Sequence, residues 1–279
     1  MSSRAQDPVV TSPILIATDL TARSDRPLDR AAQLAQQRGS GLVIVHVLGT
    51  GPEEVEAARA ARARRILIRQ TEHLGTPFDT VLEAGSPPKV VAGAAERRQA
   101  AVIVVGAARY NHVTDFVLGT AVDYLARHVA IPLLVVKERP NAPYDGIVVG
   151  TDFSDRSAHA LLAAADLVPD VRITLVHGFA RPFATRIGAE TAREVGHAWA
   201  SAEMQKFLNR PELVPLHGRI APRLVDGPPD LAINLSADTL RHPLAVLGGR
   251  GRSAAMQALL GNHAAELMGT IGHDVLLVR

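Results

Sequence analysis

Cysteine is absent from the 279-residue chain, and aromatic residues make up only 4% of it. Without cysteine there is no disulfide framework, no thiolate metal site and no cysteine nucleophile, which fits a reducing compartment and predicts a cytoplasmic protein. So few aromatic side chains argue against a protein that binds single-stranded nucleic acid by stacking on its bases. The 30 basic residues are nearly balanced by 28 acidic ones, and we expect no nucleic-acid partner.

Long apolar segments are missing as well. No uninterrupted apolar run approaches the roughly 18 residues that a membrane span needs. The first residues, MSSRAQDPVVTSP, lack the apolar core of a signal peptide. We therefore expect neither export nor a membrane partner. The chain does contain 47% apolar residues, which supports a sizeable core in two domains or one large one.

The second half of the chain repeats the first. A short apolar run that ends in Thr-Asp occurs once in each half, and Asp152 follows Asp19 by 133 residues. Gly248 follows Gly106 by 142 residues, which places a nine-residue insertion near the second helix of the second half. A period this long indicates a duplicated domain rather than a solenoid.

Each half alternates short apolar runs with longer helical patterns. Apolar runs bounded by turn residues indicate strands buried on both faces, and their alternation with helices indicates a parallel sheet. We predict two repeated, doubly wound α/β domains, 1–140 and 141–279, each a five-stranded, mostly parallel sheet with helices on both faces. The polar, proline-containing segment 137–146 suits a linker. In the first half the predicted helices are Pro27–Gln37, Glu53–His73, Lys89–Arg98 and Thr120–His128.

Polar residues and glycines gather where these strands end. In a doubly wound sheet, ligands bind beyond the carboxyl ends of the strands, where the strand order reverses. Glycines there let bare amides approach a phosphate, a following helix N-terminus adds positive charge, and an aspartate suits a sugar hydroxyl. The candidate binding residues are Thr18, Asp19, Gly106, Arg109, Gly119 and Thr120 in the first half and Thr151, Asp152, Gly248, Gly251, Arg252, Gly261 and Asn262 in the second.

Each of these features also has a plainer interpretation. The glycines around Gly248 suit a strand-to-helix turn, and Asp19 and Asp152 suit helix N-caps. The threonines before the two aspartates are expected to be turn residues rather than nucleophiles. We expect His46 and His177, in or beside the second strand of each half, to be hydrogen-bonded core residues rather than catalytic ones. The histidines show no metal-ligand spacing, and we expect no metal site.

The spaced glycines resemble the universal stress protein family, specifically its tandem two-domain members. Nucleotide-binding members of that family carry Gly-x2-Gly-x9-Gly followed by Ser or Thr. Here the second half reads Gly248-x2-Gly251-x9-Gly261-Asn262, and the first half reads Gly106-x2-Arg109-x9-Gly119-Thr120. The resemblance covers both halves, includes the aspartate after the first strand, and implies an adenine nucleotide alpha hydrolase-like fold.

Each half departs from the family pattern at one position. Arg109 replaces the middle glycine, so that a side chain obstructs the approach of a ligand to the backbone, although its guanidinium suits a phosphate. Asn262 replaces the hydroxyl residue, but an amide still donates a hydrogen bond. If only one half binds nucleotide, we favour the second, because its glycines are intact.

The resemblance implies a stress-response regulatory protein that binds ATP or another adenine nucleotide, accompanied by Mg²⁺, without a dedicated catalytic step. Two alternatives stay open: a partner- or apolar-ligand-binding module with degenerate nucleotide sites, and a slow ATPase. The resemblance also implies an internal pseudo-dimer, in which the apolar segments 132–137 and 274–279 pair antiparallel. A homodimer and further protein partners are additional expectations.

Overall fold

The computed structural model describes residues 11–107, 120–182, 184–249 and 267–279. In the first half the strands are β1 (Ile14–Ala17), β2 (Leu42–Leu48), β3 (Phe78–Ala84), β4 (Val102–Gly106) and β5 (Leu133–Val136). In the second half they are β6 (Gly146–Gly150), β7 (Arg172–Phe179), β8 (Ile220–Asp226), β9 (Pro243–Gly248) and β10 (Asp274–Val278). The described residues therefore contain the five strands that we predicted for each half.

Helices alternate with these strands. Those of the first half are α1 (Asp25–Arg38), α2 (Glu53–Thr71), α3 (Pro87–Arg97) and α4 (Thr120–His128). Those of the second half are α5 (Asp155–Leu167), α6 (Ala184–Ile187), α7 (Ala189–Leu208) and α8 (Pro229–Ala237). Short 3-10 helices lie at Ala22–Ser24 and Pro211–Leu216, and α6 and the second 3-10 helix flank α7, where the insertion was expected. Among the described helices, none is both long and apolar enough to cross a membrane.

The described strands form one sheet in the order β3-β2-β1-β4-β5-β10-β9-β6-β7-β8. Neighbouring strands within each half are parallel, because helical crossovers connect them. At the centre, β5 and β10 pair antiparallel, with Leu134 opposite Leu276. This central pair, here called the seam, covers two apolar strand edges that would otherwise be exposed. The carboxyl ends of the two sets of strands consequently lie at opposite edges of the sheet.

The core consists of two apolar layers, one on each face of the sheet. One layer joins α1, α2, α5 and α7 to the sheet, and the other joins α3, α4 and α8 to it. Both layers contain residues from the two sides of the seam, such as Val136 and Leu276 on one face and Leu133 and Val275 on the other. The halves therefore share a continuous hydrophobic core.

A buried polar group, here called the seam cluster, ties the two halves to the linker. It consists of Arg30 on α1, Lys137 and Tyr144 on the linker, and Asp274 on β10. Arg30 Nε lies 3.3 Å from Asp274 Oδ2, an ion-pair distance without hydrogen-bond geometry, and the guanidinium lies 4.0 Å from the centre of the Tyr144 ring. Tyr144 donates its hydroxyl to Asp274 Oδ2 at 2.8 Å, and the Lys137 amide donates to Asp274 Oδ1 at 2.7 Å.

Candidate functional site

The carboxyl end of β1 carries a turn that is closed by its own side chains. Thr18 Oγ1 accepts a hydrogen bond from the Leu20 amide at 3.0 Å. Asp19 Oδ1 accepts bonds from the Thr21 amide at 2.9 Å and from the Ser24 hydroxyl at 2.7 Å. These bonds fix the Asp19 carboxylate at the edge of the sheet, between the carboxyl end of β1 and the start of α1.

The carboxyl end of β6 repeats this arrangement. Thr151 Oγ1 accepts from the Phe153 amide at 2.9 Å, and Asp152 Oδ1 accepts from the Ser154 amide at 3.2 Å and the Ser157 hydroxyl at 2.6 Å. In both halves the serine follows the aspartate by five residues. We did not identify Ser24 and Ser157 from the sequence, although their equivalent positions in the repeat were a usable signal.

The two aspartates do not cap the helices that follow them. The N-cap side chains that accept a backbone bond belong to Thr21, before the first 3-10 helix, and Ser154, before α5. The N-cap interpretation of Asp19 and Asp152 is therefore wrong, because each accepts from the amide two residues later in an Asx-type turn. The expectation that Thr18 and Thr151 are turn residues is confirmed.

Each turn places a bulky residue in the left-handed backbone region. Leu20 has φ of 59° and Phe153 has φ of 64°. This region disfavours residues that carry a Cβ, and the strain is typically about 1–3 kcal/mol at each such position. The strain occurs at the same place in both halves, directly after the candidate aspartate.

A histidine supports each turn from the neighbouring strand. His46 Nδ1 lies 2.9 Å from Thr18 O, and His177 Nδ1 lies 2.7 Å from Thr151 O. Because a carbonyl oxygen accepts, Nδ1 carries the proton in both rings, and Nε2 is an acceptor in a neutral ring. The prediction that both histidines are hydrogen-bonded is confirmed, but their side chains are half-buried and do not lie fully in the core.

Local hydrogen bonding sets the charge state of the Asp19 carboxylate. Burial raises the pKa of Asp19, but the hydrogen bonds from Thr21 and Ser24 together outweigh burial and lower the pKa below its usual 3.8. Burial also lowers the pKa of His177, against the opposing effects of the Thr151 carbonyl and the Asp152 charge. At neutral pH the first half therefore presents an ionised carboxylate at Asp19, and the second half presents a neutral imidazole at His177 at the opposite edge of the sheet.

The glycines that end β4 and β9 have different surroundings. A Cβ on Gly248 would lie 3.0 Å from Arg156 O and 3.3 Å from Ser157 N, so the missing side chain makes room for the first turn of α5. A Cβ on Gly106 would make an ordinary contact of 3.4 Å with Pro27 Cγ. Close packing of a helix thus explains the glycine at position 248, as the plainer interpretation of that loop requires.

The first amides of both glycine loops already have partners in the sheet. The Ala107 amide donates to Val136 O at 3.2 Å, and the Gly249 amide donates to Val278 O at 2.5 Å. These two amides are therefore not available to a phosphate. The predicted residues Arg109, Gly119, Gly251, Arg252, Gly261 and Asn262, and the side chain of Thr120, lie outside the described residues.

The topology brings the remaining candidates together at one crevice in each half. The strand order reverses beside β1, which lies between β2 and β4, and beside β6, which lies between β7 and β9. Thr151 and Asp152 therefore lie at the reversal point next to the end of β9, and Thr18 and Asp19 lie next to the end of β4. Within the part of the chain that the structure describes, no three acidic or histidine side chains gather as metal ligands.

Comparison with known proteins places this geometry in context. The family model described as the universal stress protein family matches the chain twice, at residues 11–137 and 143–279. The fold is similar to that of a universal stress protein from Archaeoglobus fulgidus DSM 4304, with a TM-score of 0.67, 16% identity, and coverage of 96% of this chain and 97% of that chain.

A functionally unknown protein from Pseudomonas aeruginosa PAO1 is also similar, with a TM-score of 0.62, 18% identity, and coverage of 96% of this chain and 92% of that chain. No curated protein sequence gives a significant match. At these identities the solved structures establish the fold, which is the repeated α/β architecture that the sequence predicts.

Proposed function

The chain belongs to the universal stress protein family, once in each half, and from that premise we propose that it is a regulator that binds an adenine nucleotide in its second half. Family membership supports a role in the stress response. The observation that carries the nucleotide proposal is the Asp152 carboxylate, which Ser154 and Ser157 hold at the reversal point between β6 and β9.

The described residues fit one part of such a ligand. Asp152 would accept a hydrogen bond from a ribose hydroxyl, since its Oδ1 is oriented by Ser154 and Ser157 in a crevice where doubly wound sheets bind ligands. The phosphates would be held by backbone amides of the glycine-containing segment 251–262, which lies outside the described residues. A Mg²⁺ ion would take its oxygen ligands from those phosphates and from water.

We favour the second half because its spaced glycines are intact, whereas Arg109 interrupts those of the first half. We propose no dedicated catalytic step, since the chain lacks the lysine of a Walker loop. Binding would instead change the surface that the protein presents to its partners. The partners themselves, a homodimer and the cytoplasmic location remain predictions.

Calorimetric titration of the full chain with ATP and with AMP tests the proposal. Asp152→Asn keeps the acceptor that orients the turn and removes the charge, and we expect nucleotide affinity to fall about tenfold or more. Asp19→Asn, the matched variant of the first half, is expected to bind like the unmodified protein. The absence of heat at millimolar nucleotide would contradict the proposal, and a loss in Asp19→Asn alone would move the site to the first half.

Two further measurements define what the nucleotide does. Native mass spectrometry of the purified protein is expected to identify an adenine nucleotide retained from the cell. In single-turnover incubations with ATP and Mg²⁺, we expect phosphate release no faster than in Asp152→Asn. Release that depends on Asp152 would instead favour the slow ATPase.

A further inference from the structure

The second half contains a cavity that is separate from the proposed nucleotide crevice. The cavity has a volume of about 370 Å³ and lies between the end of β7 and the helix α7. Residues from His177 to Ala180 form one wall, and Val195, Gly196 and Trp199 form the other. This volume falls at the lower end of the range of about 300–1,000 Å³ that is typical of small-molecule sites.

A glycine on α7 sets the position of the second wall. A Cβ on Gly196 would overlap the carbonyl oxygen of Ala180 and would lie 3.1 Å from Phe179 Cδ2. Because Gly196 has no side chain, α7 approaches the backbone that follows β7 directly. In the first half an arginine spans the corresponding gap, since Arg59 on α2 donates to Gly49 O at 2.6 Å and to Thr50 O at 3.1 Å.

Aromatic rings line the inner end of the cavity. The His177 ring packs against Phe153 with 4.3 Å between centroids and 34° between planes. The Trp199 ring lies 6.1 Å from His177 and 6.2 Å from Phe153, yet 58% of this residue is exposed to solvent. A tryptophan at the mouth of an apolar cavity offers a ring face and edge to a second aromatic ring.

The charges near the mouth of the cavity already have partners. Arg181, next to Pro182 of the cavity wall, forms an ion pair with Asp226 at 2.6 Å. Arg193, two residues before Val195, lies 3.4 Å from the same carboxylate and 3.3 Å from Glu190. This pairing favours an uncharged ligand over an anion.

Among the lining side chains, His177 supplies a hydrogen-bond acceptor, whereas the indole of Trp199 can only donate. Its Nδ1 donates to Thr151 O at 2.7 Å, which leaves Nε2 as an acceptor in the neutral ring. Burial lowers the pKa of this imidazole, so it is neutral at physiological pH. The cavity therefore combines apolar and aromatic walls with a side-chain hydrogen-bond acceptor at His177.

We propose that this cavity binds a small, planar, uncharged aromatic molecule that donates one O–H or N–H group to Nε2 of His177. The inference does not depend on nucleotide binding. The two sites adjoin one another, because His177 bonds to Thr151 and packs on Phe153, the two residues that flank Asp152.

Phenol and toluene are suitable probes, because they share a ring and differ in the hydroxyl group. Trp199 is the single tryptophan of the chain, so its fluorescence reports directly on the cavity. We expect phenol to change this fluorescence saturably and toluene to bind about threefold or more weakly, since a net hydrogen bond contributes about 0.5–1.5 kcal/mol. In His177→Phe we expect the preference for phenol to disappear.

Val195→Phe fills the cavity from an exposed position on α7 and is expected to abolish saturable binding, while circular dichroism verifies the fold. Val55→Phe, at an exposed position on α2, is the matched control and is expected to bind phenol like the unmodified protein. Unchanged binding in Val195→Phe, an equal loss in Val55→Phe or the lack of a saturable signal would overturn the proposal. Asp152→Asn is expected to keep phenol binding, which separates this test from that of nucleotide binding.

Discussion

At the residue scale, the pKa of Lys137 depends strongly on the surroundings of its side chain. Its amine donates hydrogen bonds to the backbone oxygens of Met268 and Ile271 and is almost completely buried beside the seam. Burial lowers the pKa of Lys137 from 10.5 to about 8, although the charges of Asp274 and Glu138 oppose that shift. Lys137 therefore loses its proton in the folded protein at a pH where it keeps the proton in the unfolded chain.

We predict that the free energy of unfolding rises between pH 8 and pH 10. In this range the unfolded chain holds a proton on Lys137 that the folded protein has lost, so unfolding takes up a proton and stability increases with pH. The slope is expected to approach roughly 1.4 kcal/mol per pH unit at most. Chemical denaturation at a series of pH values measures it.

Lys137→Met is the control for this pH dependence. The variant is expected to lose the rise, whatever its absolute stability, and equal slopes in the two proteins would contradict the prediction. Burial raises the pKa of Tyr144, which has the opposite effect on stability, but only above the usual tyrosine pKa of 10. The range from pH 8 to pH 10 therefore isolates Lys137.

The sequence patterns predicted some residues of the candidate site and missed others. Thr151, Asp152 and His177 were predictable because each recurs in the first half and follows a recognisable strand. The left-handed conformation of Phe153 was not predictable, since a bulky residue there contradicts local preference and only the surrounding bonds impose it. The aromatic cavity was also missed, because Trp199 belongs to the second helix and meets His177 only through the fold.

At the scale of whole elements, the helix ends show where the local sequence determines the bounds of a helix. The bounds of α4 are those predicted, and α2 begins as predicted but ends two residues earlier. Helix α1 begins two residues before the predicted Pro27 because the 3-10 turn leads directly into it. The difference between the residue offsets of the two halves located the insertion. Its division into α6 and a 3-10 helix on either side of α7 was not predictable, because it depends on contacts that the first half does not contain.

The end of α3 offers a test of helix termination. Gln99 follows α3 with φ of 49°, and Gly39 follows α1 with φ of 60°. Because glycine has no Cβ to oppose this conformation, we expect Gln99→Gly to raise the free energy of unfolding by about 0.5–1 kcal/mol. Thermal and urea denaturation measure the change.

Gly39→Gln is the matched reverse substitution. A Cβ at position 39 would have no neighbour within 4 Å, so only backbone strain opposes it, and we expect a loss of similar size. A destabilised Gln99→Gly would show that the side chain of Gln99 has a role that outweighs its backbone strain.

At the scale of the whole molecule, Asp274 connects parts that are distant in the sequence. It lies at the start of the last strand and contacts α1 through Arg30 and the linker through Lys137 and Tyr144. The two-fold repetition and the parallel sheet were predictable from the pattern of strands and glycines. This cluster was not, because Arg30 and Asp274 are more than one hundred residues from each other and from the linker residues that they contact.

We predict that Asp274→Asn lowers the free energy of unfolding by about 3–5 kcal/mol, because it removes the carboxylate that balances the buried charge of Arg30. Asp123→Asn removes a carboxylate from the exposed pair with Arg127 and is expected to cost about 0.5 kcal/mol or less. Denaturation curves of both variants test this difference. A loss in Asp274→Asn as small as that in the control would mean that Arg30 does not depend on Asp274.

The antiparallel pairing of β5 with β10 gives the molecule two poles. Asp19 belongs to one pole and Asp152 to the other, with the full length of the strands between them. One small ligand therefore cannot contact both carboxylates. A protein that binds at one pole leaves the other pole accessible. Ligands or partners that contact Asp19 and Asp152 therefore approach the shared sheet from opposite ends.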